Sequence, residues 1–256
     1  MKSFSFNEQK DRLRWHDIHQ GACPLVYLHG LGCASSSDYP QVVASSGYCR
    51  RRTWLVDLPG AGFSDKPEGA IYDSWSQADI LCNWLTSTCT HRFSLFGHSA
   101  GAFIAMNLVT AMPGRVANLI LCQPGLSDYG VGLLKTITAM SEGEFIQTGF
   151  QQLLTQLREA GDNDDWLGPF QVCSAQAIYQ WASSALVDND HGNWVHSLKK
   201  LPLQKKSVIL SDRSPSEEIR QFRLAGCRVE LVSHSGHRMA YDNPEGLAKA
   251  IARLIN

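Results

Sequence analysis

Short apolar runs alternate along this chain with longer stretches whose apolar residues recur every three or four positions, the pattern of strands alternating with helices. Residues 24–29, 53–58, 92–97, 117–122, 207–211 and 227–233 are such runs, and they predict strands of a mostly parallel sheet covered by helices. Before them, FSFN (4–7) and RLRWHDI (12–18) alternate polar and apolar residues, as a half-exposed antiparallel pair does. Helical spacing covers about 75–88, 100–111, 216–225 and 243–255, with Pro244 near the start of the last, where proline is tolerated.

The alternation is interrupted once. Between Cys122 and Ser207 there is no convincing strand, and VGLLKTITAM, EFIQTGFQQLLTQLREA and FQVCSAQAIYQWASSALV carry helical periodicity, separated by the breakers SEGE, GDNDD and DNDHGN. A helical insertion therefore follows the sixth strand. Its aromatic residues, Phe145, Phe150, Trp166, Phe170, Tyr179 and Trp181, are expected to form its own core, with a few facing down onto the sheet edge.

Composition narrows the function classes. With 23 basic and 24 acidic residues the chain has no global field to draw it to nucleic acid or an anionic membrane, so a small-molecule partner is expected. The opening MKSFSFNEQKDR turns polar after six residues, and no run approaches the length of a membrane span, so a cytoplasmic protein is expected. The eight cysteines are scattered without C-x-x-C pairs and read as reduced, space-filling residues. DNDD (162–165) and DNDH (188–191) lack the glycine and distal glutamate of a calcium loop, so neither a metal nor a cofactor is expected. Oligomeric state is not readable.

Gly97-His98-Ser99-Ala100-Gly101 matches G-x-S-x-G between a predicted strand and a predicted helix, the context in which this motif exposes a serine at the carboxyl edge of a sheet. Side chains in place of the glycines would collide with the neighbouring strand or helix. Leu28-His29-Gly30-Leu31-Gly32 follows the third strand and can aim the Leu31 N–H above Ser99; the Ala100 N–H supplies a second donor. Ser235-Gly236-His237-Arg238-Met239 follows the last strand and puts His237 on a loop at the same edge.

The motifs HGLG (29–32), DLPGAGFSDKP (57–67), GHSAG (97–101) and GHRMAYDNPE (236–245) together resemble the α/β-hydrolase superfamily, in its lid-bearing esterase, thioesterase and C–C hydrolase type. The resemblance implies an eight-stranded, mostly parallel α/β-hydrolase sheet, a core made of residues 1–123 and 204–256, and a lid at 124–203. It also implies Ser99 as nucleophile, His237 as base, Leu31 and Ala100 as oxyanion donors, and His29, Gly30 and His98 as substrate contacts. Asp57 is expected to shape its loop and take no part in chemistry. The implied activity is cleavage of a carboxylic ester or thioester of an apolar acyl or aryl group through an acyl-enzyme. The alternatives are a C–C hydrolase or a ligand-binding relative without turnover.

The sequence departs from the family at the third catalytic member. The family's G-x-x-D-P is replaced by Ser211-Asp212-Arg213-Ser214-Pro215, which puts Ser214 at the usual acid position, and the site after the sixth strand offers only Cys122 or Gln123. Three readings stay open: Asp212 reaches His237 through a shifted turn, Glu217 or Glu218 does so with a longer side chain, or Ser214 and backbone groups orient a dyad. Asp212 is preferred, because a loop shifts by one residue more easily than a helix does.

Overall fold

A computed structural model describes residues 1–125, 128–190 and 194–255. Its strands are β1 (Lys2–Ser5), β2 (Arg12–Ile18), β3 (Leu25–Leu28), β4 (Thr53–Asp57), β5 (Phe93–His98), β6 (Val116–Cys122), β7 (Lys206–Ser211) and β8 (Arg228–Val232). They form one sheet in the order β1-β2-β4-β3-β5-β6-β7-β8, antiparallel at β1/β2 and β2/β4 and parallel elsewhere. Every strand expected from the pattern is present.

The helices in chain order begin with α1 (Ser35–Asp38), α2 (Pro40–Ala44), α3 (Ser74–Thr88) and α4 (Gly101–Ala111). Then come α5 (Asp128–Thr138), α6 (Glu142–Glu144), which runs through a π-helical turn (Phe145–Gly149) into α7 (Phe150–Ala160), α8 (Asp164–Gln171), α9 (Ala175–Asp190) and α10 (Trp194–Lys200). The chain closes with α11 (Ser216–Leu224), α12 (Met239–Asp242) and α13 (Pro244–Ile255).

Period-two alternation divides the central strands between two cores. Val26, Leu28, Leu95, Leu119, Leu121, Val208 and Leu210 pack with α3 and α4, while Leu25, Tyr27, Phe96, Ile120 and Ile209 pack with α2 and α13. Both faces are covered, which explains why these strands are nearly all apolar. β4 and β5 flank β3 on opposite sides, so the chain reverses its winding there. Such a switch point leaves a crevice at the carboxyl ends of the strands, where the loops after β3 and β5 face each other.

The segment between β6 and β7 is helical, as its periodicity indicates, but its boundaries differ from expectation. The helix expected over 170–187 is two: α8 ends at Gln171, and Ser174 starts α9, its carbonyl accepting from Ile178 N at 2.9 Å and its hydroxyl from Ala177 N at 3.3 Å. The DNDD run is not only a breaker, since Asp164 and Asp165 form the first turn of α8, where acidic side chains face the positive end of the helix. α9 is stitched to the core: Tyr72 N donates to Gln180 Oε1 at 2.9 Å, and Ser74 N to Ser184 Oγ at 3.0 Å.

Candidate active site

Ser99 lies at the junction of β5 and α4 with φ +51°, a left-handed conformation that costs a residue with a β-carbon on the order of 1–3 kcal/mol. The turn is held because Ser99 N donates to Cys122 O at 3.1 Å and Ser99 O accepts from Ala102 N at 3.0 Å. A Cβ at Gly97 would come within 2.9 Å of Gly101 O and 3.0 Å of Ala105 Cβ. One at Gly101 would strike the His29 carbonyl. The two glycines thus let α4 pass against β3 and β5 and leave the serine projecting.

His237 reaches this serine from the loop after β8, with Nε2 3.0 Å from Ser99 Oγ. Three contacts fix its backbone: Gly236 N donates to Asp242 Oδ2 at 2.7 Å, His98 Nε2 donates to His237 O at 2.8 Å, and Arg213 Nη2 donates to Ser235 O at 2.7 Å. Burial drives the His98 pKa down to about 3, with the neighbouring His237 adding to the shift, so His98 stays neutral and its Nε2–H remains a donor. The loop-fixing roles of His98 and Asp242 were not apparent in the sequence, although Asp242 belongs to the quoted GHRMAYDNPE stretch.

Although His237 keeps part of its surface open to solvent, desolvation of the ring lowers its pKa, and the adjacent Arg238 cation lowers it further, against a smaller opposing pull from Asp242. A lowered pKa keeps the imidazole neutral, and therefore basic, at pH values where a free histidine is protonated. The acid limb of kcat/KM is expected below the ordinary histidine value of 6.5. Arg238→Gln removes the cation and should move that limb to higher pH, as a pH profile of the two proteins would show.

The loop after β3 holds the expected oxyanion donors. His29 is fully buried; its Nδ1 lies 2.8 Å from Gly30 O, and its Nε2 accepts from Leu58 N at 3.0 Å. The acceptor role fixes the tautomer with the proton on Nδ1, which donates to Gly30 O. His29 therefore orients the Gly30–Leu31 peptide through its carbonyl. His29, expected as a substrate contact, has both ring nitrogens spent on backbone and does not line the cleft over Ser99. Gly30 and His98 do line the cleft. The N–H groups of Leu31 and Ala100 donate to no other group among the described residues, and Leu31 O accepts from Trp166 Nε1 of α8 at 3.2 Å.

Asp212 is not brought to His237. Its backbone N pairs with Val232 O at 3.1 Å, its side chain is exposed, and it does not line the cavity that opens beside His237. The β7–β8 pairing through Ser211↔Val232 fixes the start of this loop and leaves the Asp212 carboxylate in solvent. Glu217 is exposed and chelated by Arg220 at 2.8 Å through both Nε and Nη2. Glu218, in the first turn of α11, is half-buried and lines that cavity together with Ser214, Gln123 and His237. Burial raises its pKa, opposed by the nearby Ser214 hydroxyl.

An apolar cleft opens over Ser99. Gly30, Leu31 and Cys33 line it from the core side, and Leu133, Leu134 and Trp166 from the insertion. Of the aromatic residues of the insertion, Trp166 faces the cleft, whereas Trp181 packs edge-on against the His29 ring at 5.9 Å and Phe150 packs within the insertion. Asp57 is a loop brace, its carboxylate accepting from Ser36 N at 2.9 Å, Ser36 Oγ at 2.7 Å and Phe63 N at 2.9 Å. All eight cysteines are free thiols. Among the described residues no group of three His, Cys, Asp or Glu could hold a metal, and no helix is long and apolar enough to cross a membrane. Of the DNDH run, His191 lies outside the described residues.

Residues 25–250 match the alpha/beta hydrolase family. The chain belongs to that family. The match runs from β3 into α13 and takes in the serine turn and the histidine loop. Esterase YbfF of Escherichia coli is 24% identical over 245 residues, covering 91% of this chain and 93% of that protein. The abhydrolase domain-containing protein abhd-5.2 of Caenorhabditis elegans is 24% identical over 126 residues, and the match spans 48% of this chain but only 28% of that relative. Among solved structures, a thermophilic esterase from Thermogutta terrifontis superposes with a TM-score of 0.74 at 18% identity, covering 99% of this chain and 97% of that one; a likeness at this identity concerns the fold.

Proposed function

We propose that this α/β hydrolase is a cofactor-independent serine hydrolase that cleaves a carboxylic ester or thioester of a small apolar acyl or aryl compound. The observation that carries the reading is the 3.0 Å approach of His237 Nε2 to Ser99 Oγ, at a left-handed turn that opens onto an apolar cleft. In this reading Ser99 Oγ attacks the carbonyl carbon while His237 Nε2 takes its proton. The oxyanion is held by the N–H groups of Leu31 and Ala100, and His237 returns the proton to the leaving oxygen or sulfur. Water activated by the same nitrogen then releases the acid. Glu218 takes the orienting role for His237 that Asp212 is too exposed to fill.

Residues 124–203 act as a lid in this reading, with α5 and α8 forming the roof of the acyl site. A p-nitrophenyl ester series of increasing chain length, followed spectroscopically, tests both parts. Turnover with a length optimum is expected, and Leu134→Ala should move that optimum by about two carbons toward longer chains, because it removes roughly three methyl or methylene groups from the roof. No turnover of esters or thioesters, with cleavage of a β-dicarbonyl-type C–C bond instead, would shift the assignment to a C–C hydrolase. An optimum indifferent to Leu134 would take the insertion out of the substrate site.

A further inference from the structure

Arg238 is the one permanently charged side chain among the described residues lining the cleft over Ser99. An apolar chain has no use for a guanidinium on the wall, and partial removal of that cation from water costs free energy unless it is paired. The pairing present is incomplete. Nη1 donates to Asp165 Oδ1 at the start of α8, and Nη2 to Asp162 O at 3.3 Å. A guanidinium carries five N–H bonds, so Nε–H and one hydrogen on each terminal nitrogen have no partner among the described residues. The edge left over suits the planar, two-oxygen face of a carboxylate.

We propose that Arg238 is a carboxylate-binding group of this cleft, selecting acyl substrates that carry a second, free carboxylate at the end distal to the scissile carbonyl. The assignment of the attacked carbonyl rests on the serine-hydrolase reading; the binding preference does not. Because Arg238 follows His237 in the chain, a carboxylate held there shares the cleft with a carbonyl on Ser99, and the apolar wall of Leu31, Leu133 and Leu134 accepts the methylenes between them. The substrate carboxylate competes with Asp165 for the guanidinium. Asp165 is partly exposed and returns to water when displaced, which loosens the hold of α8 on the histidine loop.

The test is binding of straight-chain dicarboxylates of four to eight carbons, each against the monocarboxylate of equal carbon number, by calorimetry at constant ionic strength on Ser99→Ala protein. At one length the dicarboxylate is expected to bind at least about tenfold tighter. Arg238→Gln should abolish that ratio, Arg238→Lys should keep part of it, and Asp165→Asn, which removes the competitor, should enlarge it. In the wild type, kcat/KM for the mono-p-nitrophenyl ester of the favoured diacid should exceed that of the matched neutral ester. Equal binding at every length, no dicarboxylate binding up to the solubility limit, or a preference that survives Arg238→Gln overturns the proposal. A protein that binds dicarboxylates selectively but hydrolyses no ester would leave it standing and remove the serine-hydrolase reading.

Discussion

Ser99→Ala is expected to lose about 10³- to 10⁶-fold in kcat on any ester the wild type turns over, while its melting temperature and circular dichroism stay close to wild type. Alanine keeps the β-carbon, so the left-handed backbone at φ +51° is no more and no less strained than with serine. What disappears is one hydroxyl and its 3.0 Å contact with His237. A fluorophosphonate should add to the wild-type peptide containing GHSAG and leave Ser99→Ala unlabelled, read by mass spectrometry of the digest. Labelling at another residue, or a wild type that resists a reagent to which known serine esterases succumb, would remove Ser99 as nucleophile. Gly97 and Gly101 leave room for the turn, and Cys122 O and Ala102 N hold it in place.

The sheet and the serine turn were legible in the sequence because their causes are local. Each central strand is an apolar run covered on both faces, and the two glycines of the turn are demanded by backbone atoms a few residues away or on adjacent strands. The features that escaped depend on where loops from distant parts of the chain converge. Arg238 meets Asp165 across 73 positions, and Trp166 meets Leu31 across 135, so no periodicity announces either contact. His29 neighbours the expected oxyanion donors in the sequence, and its ring turns inward to Leu58 N. In the insertion, continuous helical periodicity across 170–187 concealed the break at Val172 to Ser174, since a residue can keep an apolar face in register while the chain turns. The exposure of Asp212 has a related reason: one-residue spacing in a loop says little about which side of the sheet edge a carboxylate faces.

Glu218→Gln is expected to lower kcat by about 10²-fold, with KM less affected, while Asp212→Asn and Glu217→Gln stay within about twofold of wild type. The Nε2 nitrogen of His237 is committed to Ser99, no hydrogen bond to its Nδ1 is made among the described residues, and the proposed orienting carboxylate is one that lines the cavity beside His237. Of the three carboxylates at issue, Glu218 alone lines it. Burial that raises the Glu218 pKa marks a group held away from bulk water, where a charge–charge interaction with an imidazolium is stronger than at the surface. The expected loss is smaller than the roughly 10⁴-fold seen when a directly bonded triad acid is replaced, because Glu218 acts from across a cavity. A pH profile separates this role from a merely structural one. If Glu218 takes this role, its carboxylate adds to the pull that Asp242 exerts on the His237 imidazolium, and the acid limb of kcat/KM should move to lower pH in Glu218→Gln, opposite to its movement in Arg238→Gln. Ser214→Asp, which puts a carboxylate on the same cavity wall, should restore most of the activity lost in Glu218→Gln and move the limb back. A large loss in Asp212→Asn with none in Glu218→Gln would return the role to the loop, and full activity in both would make Ser99 and His237 a dyad that works without an acid.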